Sequence, residues 1–277
     1  MNEINSGKID PVKESIRLYA KQLRTPTFPN YENVVRQLSS GDGYDKFLAE
    51  IMKLEVLQRQ EAGQRRRIKK ARFPFMKTLD EFDYNRLEHV SESFISELGS
   101  CDFISKRQNV VMIGNPGSGK THISIALGMK ACYAGFNVRF YTAVNLANEL
   151  AEAFQFHRLS KLENSLSKVD LLIIDELSYL TFNRHQSEML FQVISERSER
   201  ASIIITTNLE FSSWTDLFEN EIMVAALIDR VTFRSHILNM NVKESYRLEQ
   251  ALSAKKSTIN DEKNSELSKK EEQDDPE

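Results

Sequence analysis

The chain has 277 residues, of which 40% are hydrophobic and 28% are charged, as in a soluble globular protein with one large or two modest domains. The formal net charge is -3, which neither indicates nor excludes a nucleic-acid partner. There is no signal peptide and no apolar run of about eighteen residues, so we expect a cytoplasmic protein with no membrane partner. The two cysteines lack C-x-x-C spacing, which argues against a disulfide framework and a zinc site.

The first part of the chain predicts a flexible start at residues 1–9 and a small all-helical domain at 10–77. Asp10 and Pro11 are a helix-start signal, and Pro26 and Pro29 interrupt the pattern. Three helices are predicted, over residues 10–23, 31–39 and 44–71. On the third helix the apolar side chains that share one face at helical spacing are Phe47, Ile51, Leu54 and Leu57.

The second part, residues 78–253, alternates apolar strand-like runs with helical stretches. The runs lie at residues 109–113, 137–141, 169–174, 202–206 and 236–240. This alternation predicts an α/β fold in which helices cover both faces of a parallel sheet, with ligands bound beyond the carboxyl ends of the strands. Residues 254–277 hold five Lys and eight Asp or Glu with few apolar residues, which predicts a disordered charged tail.

The most specific motif lies between the first predicted strand and a helix, and it matches G-x-x-x-x-G-K-[ST] at every position. Its residues are Gly114, Asn115, Pro116, Gly117, Ser118, Gly119, Lys120 and Thr121, with His122 next. Backbone N–H groups of such a loop cradle phosphate oxygens at a helix N-terminus. Lys120 can reach the β- and γ-phosphates, and Thr121 can offer its hydroxyl to Mg²⁺. The motif therefore predicts an ATP site.

Two acids, Asp175 and Glu176, end the buried run at 169–174. We expect Asp175 to act on Mg²⁺ opposite Thr121, and Glu176 to orient or polarise the attacking water. A strand-to-loop boundary alone would also place acids here, and the phosphate loop favours the catalytic interpretation.

Two more polar residues follow apolar stretches and are candidates for catalysis. Asn208 ends the run that begins at residue 202, where it could hydrogen-bond the γ-phosphate or the water, although Asn is also a common turn residue. Arg230 follows a helical stretch and could stabilise transition-state charge from a neighbouring subunit. Arg234 and Arg247 are alternatives, and a surface Arg is the simpler explanation.

Basic residues are concentrated at one place before the α/β region. The candidates for DNA contact are Arg65, Arg66, Arg67, Lys69, Lys70 and Arg72. This density suits a phosphate backbone, with salt-sensitive and largely sequence-independent binding. A solvated helix end is the alternative. The segment 142–168, with Arg158, Lys161 and Lys168, is a weaker second candidate.

Together these segments resemble the IstB family of insertion-sequence helper ATPases, relatives of the DnaC helicase loaders within the AAA+ class. The resemblance runs from Tyr19 to Arg247. Besides the phosphate loop and the acid pair, it rests on the segments at residues 21–24, 73–83, 206–211, 227–230 and 245–247.

The resemblance implies a P-loop AAA+ ATPase that binds ATP and Mg²⁺, forms a homo-oligomer on duplex DNA, deforms it and hands it to an IstA-like transposase. Hydrolysis would be stimulated by the partner and by DNA. Asn208 then matches the sensor and Arg230 the finger acting in trans, while Arg247 matches a terminal motif. The charged tail and Lys243-Glu244, where a glycine is common nearby, depart from the family pattern.

Two other functions share the phosphate loop. A replicative helicase loader has the same core, but it would prefer single-stranded DNA and bind a helicase. A small-molecule kinase needs an acceptor pocket and a lid, and the sequence contains no signal for either.

Overall fold

The structure is a computed structural model, and it describes residues 11–38, 43–178, 182–218, 220–243 and 245–246. The expected flexible start, Arg247 and the charged tail lie outside these residues. The chain divides into two compact units, a helical unit (residues 1–66) and an α/β unit (residues 67–277).

The helical unit contains the three helices expected from the sequence. They are α1 (Pro11–Leu23), α2 (Tyr31–Gln37) and α3 (Tyr44–Ala71), whose last turns belong to the α/β unit. A short 3₁₀ turn at Phe28–Asn30 precedes α2, and it contains one of the two prolines that break the helical pattern. Proline therefore interrupts the helices of this unit where the sequence predicted an interruption.

The predicted apolar face of α3 was wrong in part. Ile51 is 3% exposed, but Leu54 and Leu57 are 43% and 47% exposed. The buried position one turn after Ile51 is Glu55, whose carboxylate accepts hydrogen bonds from Thr27. A polar contact between segments therefore sets the rotation of the helix, and apolar spacing alone cannot encode such a contact.

Residues 67–77 pack with the α/β unit, although the sequence placed them in the helical domain. Arg67 Nε donates to the carbonyl of Cys132 at 2.9 Å, and Ala71 is fully buried. The Phe73 ring lies against the helix that contains Gly128, where a Cβ on Gly128 would come within 2.8 Å of it. The segment that follows α3 is therefore part of the core of the α/β unit.

The α/β unit contains eight helices and five strands among the residues that the structure describes. The helices are α4 (Glu92–Gly99), α5 (Asp102–Ser105), α6 (Lys120–Ala134), α7 (Ala143–Gln155), α8 (Leu159–Leu166), α9 (Arg184–Arg200), α10 (Thr215–Phe218) and α11 (Glu221–Thr232). The strands are β1 (Asn109–Ile113), β2 (Val138–Thr142), β3 (Leu171–Asp175), β4 (Ser202–Thr207) and β5 (Ser235–Asn239). Each predicted strand run is confirmed to within two residues.

All five strands are parallel, in the order β2-β3-β4-β1-β5. The sheet is the flanked parallel sheet that the sequence predicted. Because the strands are parallel, their carboxyl ends share one edge, where Thr142 pairs with Asp175 and Ile113 with Thr207. That edge brings together the segments that carry the candidate site.

Helices cover both faces of the sheet, and each face has its own core. Successive β1 residues alternate between the cores, with Val110 and Met112 on the face covered by α6 and Val111 on the opposite face. The core on the face opposite α6 also buries Trp214 and Phe218. Among the described residues, no helix is both long enough and apolar enough to cross a membrane.

Candidate functional site: a phosphate loop at the carboxyl edge of the sheet

The phosphate loop joins β1 to α6 through two residues in the left-handed region. Gly117 and Gly119 have φ of 79° and 91°, which glycine adopts without the strain of a Cβ. A Cβ at Gly119 would also lie 2.3 Å from the Phe82 ring. The loop can therefore present its backbone N–H groups at the N-terminus of α6 only with glycine at these positions.

Lys120 is the first residue of α6, and its side chain reaches back over the loop. Its Nζ donates to the carbonyls of Gly114 (2.6 Å) and Asn115 (2.8 Å) and to Ser118 Oγ (3.3 Å). The ammonium charge is thus held at the concave side of the loop, where a phosphate group would carry negative charge.

Asn115 does not line the cavity described below but ties the loop to the chain after β5. Its N–H donates to Asn241 Oδ1 at 2.9 Å. Its side chain accepts from the N–H of Val242 at 3.0 Å and donates to that residue's carbonyl at 2.6 Å. The loop is therefore clamped by residues that follow it by more than a hundred positions.

Thr121 and Asp175 lie side by side. The Thr121 hydroxyl donates to Asp175 Oδ2 at 2.9 Å, and the carboxylate is 3% exposed. Burial raises the pKa of Asp175 above its usual value, although hydrogen bonds from Thr206 and Thr121 oppose this shift. A hydroxyl and a carboxylate oxygen are ligands that Mg²⁺ accepts, so these residues fit the cation that the sequence predicted.

Glu176 occupies very different surroundings from its neighbour. Its side chain is exposed, and its backbone has φ of 58°, which is uncommon for a residue with a Cβ. Its N–H donates to Thr206 Oγ1 at 2.9 Å. The two adjacent acids therefore differ in solvation, as expected for groups with separate roles.

Asn208 follows β4 directly, at the same edge of the sheet. Its Oδ1 is buried and has no hydrogen-bond partner in the part of the chain that the structure describes. A buried amide oxygen without a partner is costly, and such atoms commonly mark the position of a ligand or an ordered water.

A cavity of about 550 Å³ brings these groups together. Its lining includes residues 116–122, Glu176 and Asn208, together with Phe82 and Arg86. Tyr246 also contributes, and the Arg86 guanidinium lies 5.0 Å from its ring centroid. A cavity of this size, lined by both polar groups and aromatic rings, suits a nucleotide.

Sequence reasoning did not assign Phe82, Arg86 or Tyr246 to the site. The Phe82 ring packs edge-on against His122 at 5.3 Å, and His122 Nε2 lies 2.8 Å from the carbonyl of Thr78. The signal for Phe82 was present, because the segment at 73–83 contributed to the family resemblance. That resemblance indicated no chemical role for Phe82, and the structure shows that its ring lies beside the phosphate loop.

A second cavity of about 1030 Å³ adjoins the first. Thr121 and Glu176 line both cavities, and Asp175 lines the larger one. Arg158 and Lys161, from the weaker DNA candidate segment, line this larger cavity as well. The predicted catalytic acid therefore faces open space on two sides.

Arg230 lies on α11 and does not line either of these cavities. Its Nε donates to Glu199 on α9 at 3.1 Å, its guanidinium lies 5.7 Å from the Phe191 ring centroid, and its side chain is 38% exposed. This geometry does not support contact between Arg230 and a phosphate bound by the same copy. Contact with a phosphate bound by a neighbouring copy stays a prediction.

The basic residues of the predicted DNA cluster have different surroundings. Within the helical unit, Arg65 lies 3.6 Å from Glu61 and Arg66 is exposed. Within the α/β unit, Lys69 and Lys70 are exposed. Two members have structural partners, since Arg67 bonds a carbonyl and Arg72 lies 3.9 Å from Glu149.

Comparison with known proteins decides the family. The family described as IstB-like ATP binding protein matches residues 20–254. The chain belongs to this family. It is 35% identical over 239 residues to the insertion sequence IS5376 putative ATP-binding protein of Geobacillus stearothermophilus, covering 86% of this chain and 95% of that relative. It is 36% identical over 220 residues to the insertion sequence IS21 putative ATP-binding protein of Pseudomonas aeruginosa, covering 79% and 83%.

Among solved structures, the α/β fold is similar to that of AMPPCP-bound DnaA from Aquifex aeolicus, with a TM-score of 0.50 and 19% sequence identity. The match covers 59% of this chain and 49% of the DnaA chain, and at that identity it shows the fold alone. The AAA+ P-loop fold and membership of the IstB-like family together support ATP binding by this chain.

Proposed function

We propose that this chain is a Mg²⁺-dependent ATPase that assembles on duplex DNA and assists a partner transposase in insertion-sequence transposition. The observation that carries the proposal is the convergence of Lys120, Thr121, Asp175, Glu176 and Asn208 around adjoining cavities at one edge of the sheet. The names of its relatives, which are ATP-binding proteins of insertion sequences, support the biological setting.

The phosphate loop binds the triphosphate of ATP. Backbone N–H groups within residues 117–121 surround the phosphate oxygens, while residues 114–116 shape the start of the loop. Lys120 places its charge against the β- and γ-phosphates. Thr121 and Asp175 would hold Mg²⁺, which neutralises charge on the phosphate oxygens when bound. These residues bind and orient ATP, and other residues activate the attacking water.

Glu176 is the group that activates the attacking water. Its exposed carboxylate lines the cavity beyond the loop and can take the proton of a water molecule. Asn208 Oδ1 is an acceptor, so it suits the hydrogen of that water better than a phosphate oxygen, which has no proton to donate. The two side chains would together orient the water for in-line attack.

Arg230 completes the site from a neighbouring copy, so that turnover depends on assembly. ATP held between copies favours an oligomer on DNA, and hydrolysis, stimulated by the transposase and by DNA, releases it. Residues 10–77, which comprise most of the helical unit and the first segment of the α/β unit, contribute to DNA binding and oligomerisation, and residues 78–253 form the rest of the ATPase domain. Arg65, Arg66, Arg67, Lys69, Lys70 and Arg72 are the proposed contacts to DNA phosphates.

The first test is equilibrium binding of the full chain to labelled duplex and single-stranded DNA, with Mg²⁺-ATP or Mg²⁺-ADP, over a series of salt concentrations. We expect ATP-dependent duplex binding that weakens as salt rises, together with an increase in particle size by light scattering. Preference for single strands, or DNA binding only with a helicase present, would instead favour a helicase loader. ATP turnover that requires a small-molecule acceptor would indicate a kinase.

A further inference from the structure

One hydroxyl group bonds both acids of the site. Thr206 lies near the end of β4 and is 1% exposed. Its Oγ1 donates to Asp175 Oδ1 at 2.5 Å and accepts from the N–H of Glu176 at 2.9 Å. Its backbone carbonyl accepts from the N–H of Leu177 at 2.9 Å. A single buried residue therefore contacts three consecutive residues at the end of β3.

The bond to Asp175 determines which way the carboxylate faces. A threonine hydroxyl has one proton, and here that proton goes to Oδ1. Oδ2 is then the oxygen closer to Thr121, at 2.9 Å against 3.1 Å for Oδ1. Both carboxylate oxygens lie within hydrogen-bond distance of Thr121, so the bond from Thr206 is the contact that distinguishes Oδ1 from Oδ2 and leaves Oδ2 for the proposed cation.

The bond to Glu176 stabilises an unfavourable backbone conformation. A residue with a Cβ at φ of 58° adopts a sparsely populated backbone conformation, and surrounding contacts must hold it there. The N–H of Glu176 is held by the same Thr206 oxygen that orients Asp175. This conformation sets the direction in which the Glu176 side chain leaves the strand.

We propose that Thr206 is a positioning residue for ATP turnover, whose hydroxyl orients Asp175 and Glu176 together. The inference rests on the proposed Mg²⁺-dependent hydrolysis. Removing the hydroxyl would disturb both the cation ligand and the water-activating acid, although Thr206 is neither.

The test compares Thr206→Val, which keeps the shape but not the hydroxyl, with Thr206→Ser, which keeps the hydroxyl. We expect Thr206→Val to lower kcat by about 10²-fold with little change in KM, since misplacement of about 1 Å has that effect on a catalytic group. We also expect it to raise the Mg²⁺ concentration needed for half-maximal binding of a fluorescent non-hydrolysable ATP analogue. Thr206→Ser should stay close to the parental protein in both measurements.

The matched control is Ser202→Ala, because Ser202 is a fully buried hydroxyl at the opposite end of the same strand and donates to the carbonyl of Phe103. Thermal melting verifies folding, and Thr206→Ala replaces Thr206→Val if the latter does not fold. The proposal is overturned if a folded variant without the Thr206 hydroxyl keeps the kcat and the Mg²⁺ dependence of the parental protein. It is also overturned if Thr206→Ser or Ser202→Ala lowers kcat as much as Thr206→Val does, because such a loss indicates a merely structural role.

Failure of the proposed function would give a different result. If the parental protein bound the ATP analogue but did not hydrolyse ATP, hydrolysis would be refuted. The Mg²⁺ dependence of analogue binding would still decide whether the Thr206 hydroxyl orients Asp175.

Discussion

Asp175 and Glu176 are adjacent in the chain, yet their surroundings prepare them for opposite tasks. Asp175 is buried at the end of β3, where burial raises its pKa and the Thr206 and Thr121 hydroxyls stabilise its charge. Glu176 is exposed and faces the cavity. A buried, hydrogen-bonded carboxylate suits cation binding, whereas an exposed one can exchange a proton with water.

At this scale we predict that Glu176→Gln binds ATP as the parental protein does but hydrolyses it about 10²- to 10⁴-fold more slowly, because the amide cannot take a proton from water. Equilibrium binding of a fluorescent ATP analogue and phosphate release measure the two effects. Glu97→Gln, an exposed glutamate on α4, is the control and should hydrolyse ATP normally. Turnover at the parental rate in Glu176→Gln would refute the role of Glu176.

Elements within the helical unit are held by a buried carboxylate. Glu55 on α3 accepts from the Thr27 hydroxyl at 2.6 Å, from the Thr27 N–H at 3.2 Å and from Arg59 at 2.7 Å. Burial would raise the pKa of Glu55, but these hydrogen bonds and the Arg59 charge outweigh it and hold the pKa below 4.5. One ionised side chain thus joins the long helix to the turn before α2.

We predict that Glu55→Gln lowers the free energy of unfolding of the helical unit at neutral pH by about 1–2 kcal/mol, because charge-assisted hydrogen bonds are removed. The folded pKa lies below the unfolded one. The contribution is therefore complete well above pH 4.5 and is lost as the pH falls through the folded pKa. Far-UV circular dichroism melts at several pH values should show the two proteins converging in acid.

Glu61→Gln is the control for this experiment, since Glu61 is an exposed glutamate on the same helix and pairs only loosely with Arg65. It should change stability little at any pH. A difference between Glu55→Gln and the parental protein that stayed constant down to acid pH would contradict the ionised contact.

At the scale of the whole molecule, the proposed assembly and DNA binding would depend on side chains that one copy leaves exposed. The structure separates the basic residues into two groups. Arg67 donates to a backbone carbonyl within the α/β unit, whereas Lys69, Lys70 and Arg72 are exposed, with Arg72 3.9 Å from Glu149. Exposed lysines can neutralise DNA phosphates without breaking a contact within the fold.

We predict that Lys69→Ala combined with Lys70→Ala weakens duplex binding uniformly across sequences. The slope of log affinity against log salt should fall by up to about 2, or ~0.9 for each DNA phosphate that a lysine no longer neutralises. Lys106→Ala with Lys130→Ala removes the same charge from other exposed positions and should leave the slope unchanged. An unchanged slope in the first variant would exclude both lysines from the DNA interface.

The proposed trans role of Arg230 predicts how mixtures of two variants behave. Arg230→Ala and Glu176→Gln should each be nearly inactive alone. When the two are mixed in equal amounts, about a quarter of the interfaces should pair an intact Glu176 with an intact Arg230, if copies associate head to tail. Phosphate release by the mixture should then exceed the sum of the two variants. Activity equal to that sum would refute a finger acting between copies.

Local signals in the sequence determined much of this protein. The phosphate loop, the helix starts and the five strand runs all depend on residues close together in the chain, where spacing and residue type directly constrain the backbone. The acid pair could also be predicted from the residues, because the end of a buried strand in a parallel sheet points to the ligand edge. The family membership follows from the same segments.

Only the tertiary structure decided which distant residues meet. Thr206 reaches Asp175 across 31 positions, and Asn115 bonds Val242 across 127. The burial of Glu55 in place of Leu54 and the ion pair of Arg230 with Glu199 also depend on packing between elements. Hydrophobic periodicity shows which face of an element is apolar, but strand order and hydrogen bonds between elements decide which neighbour that face receives.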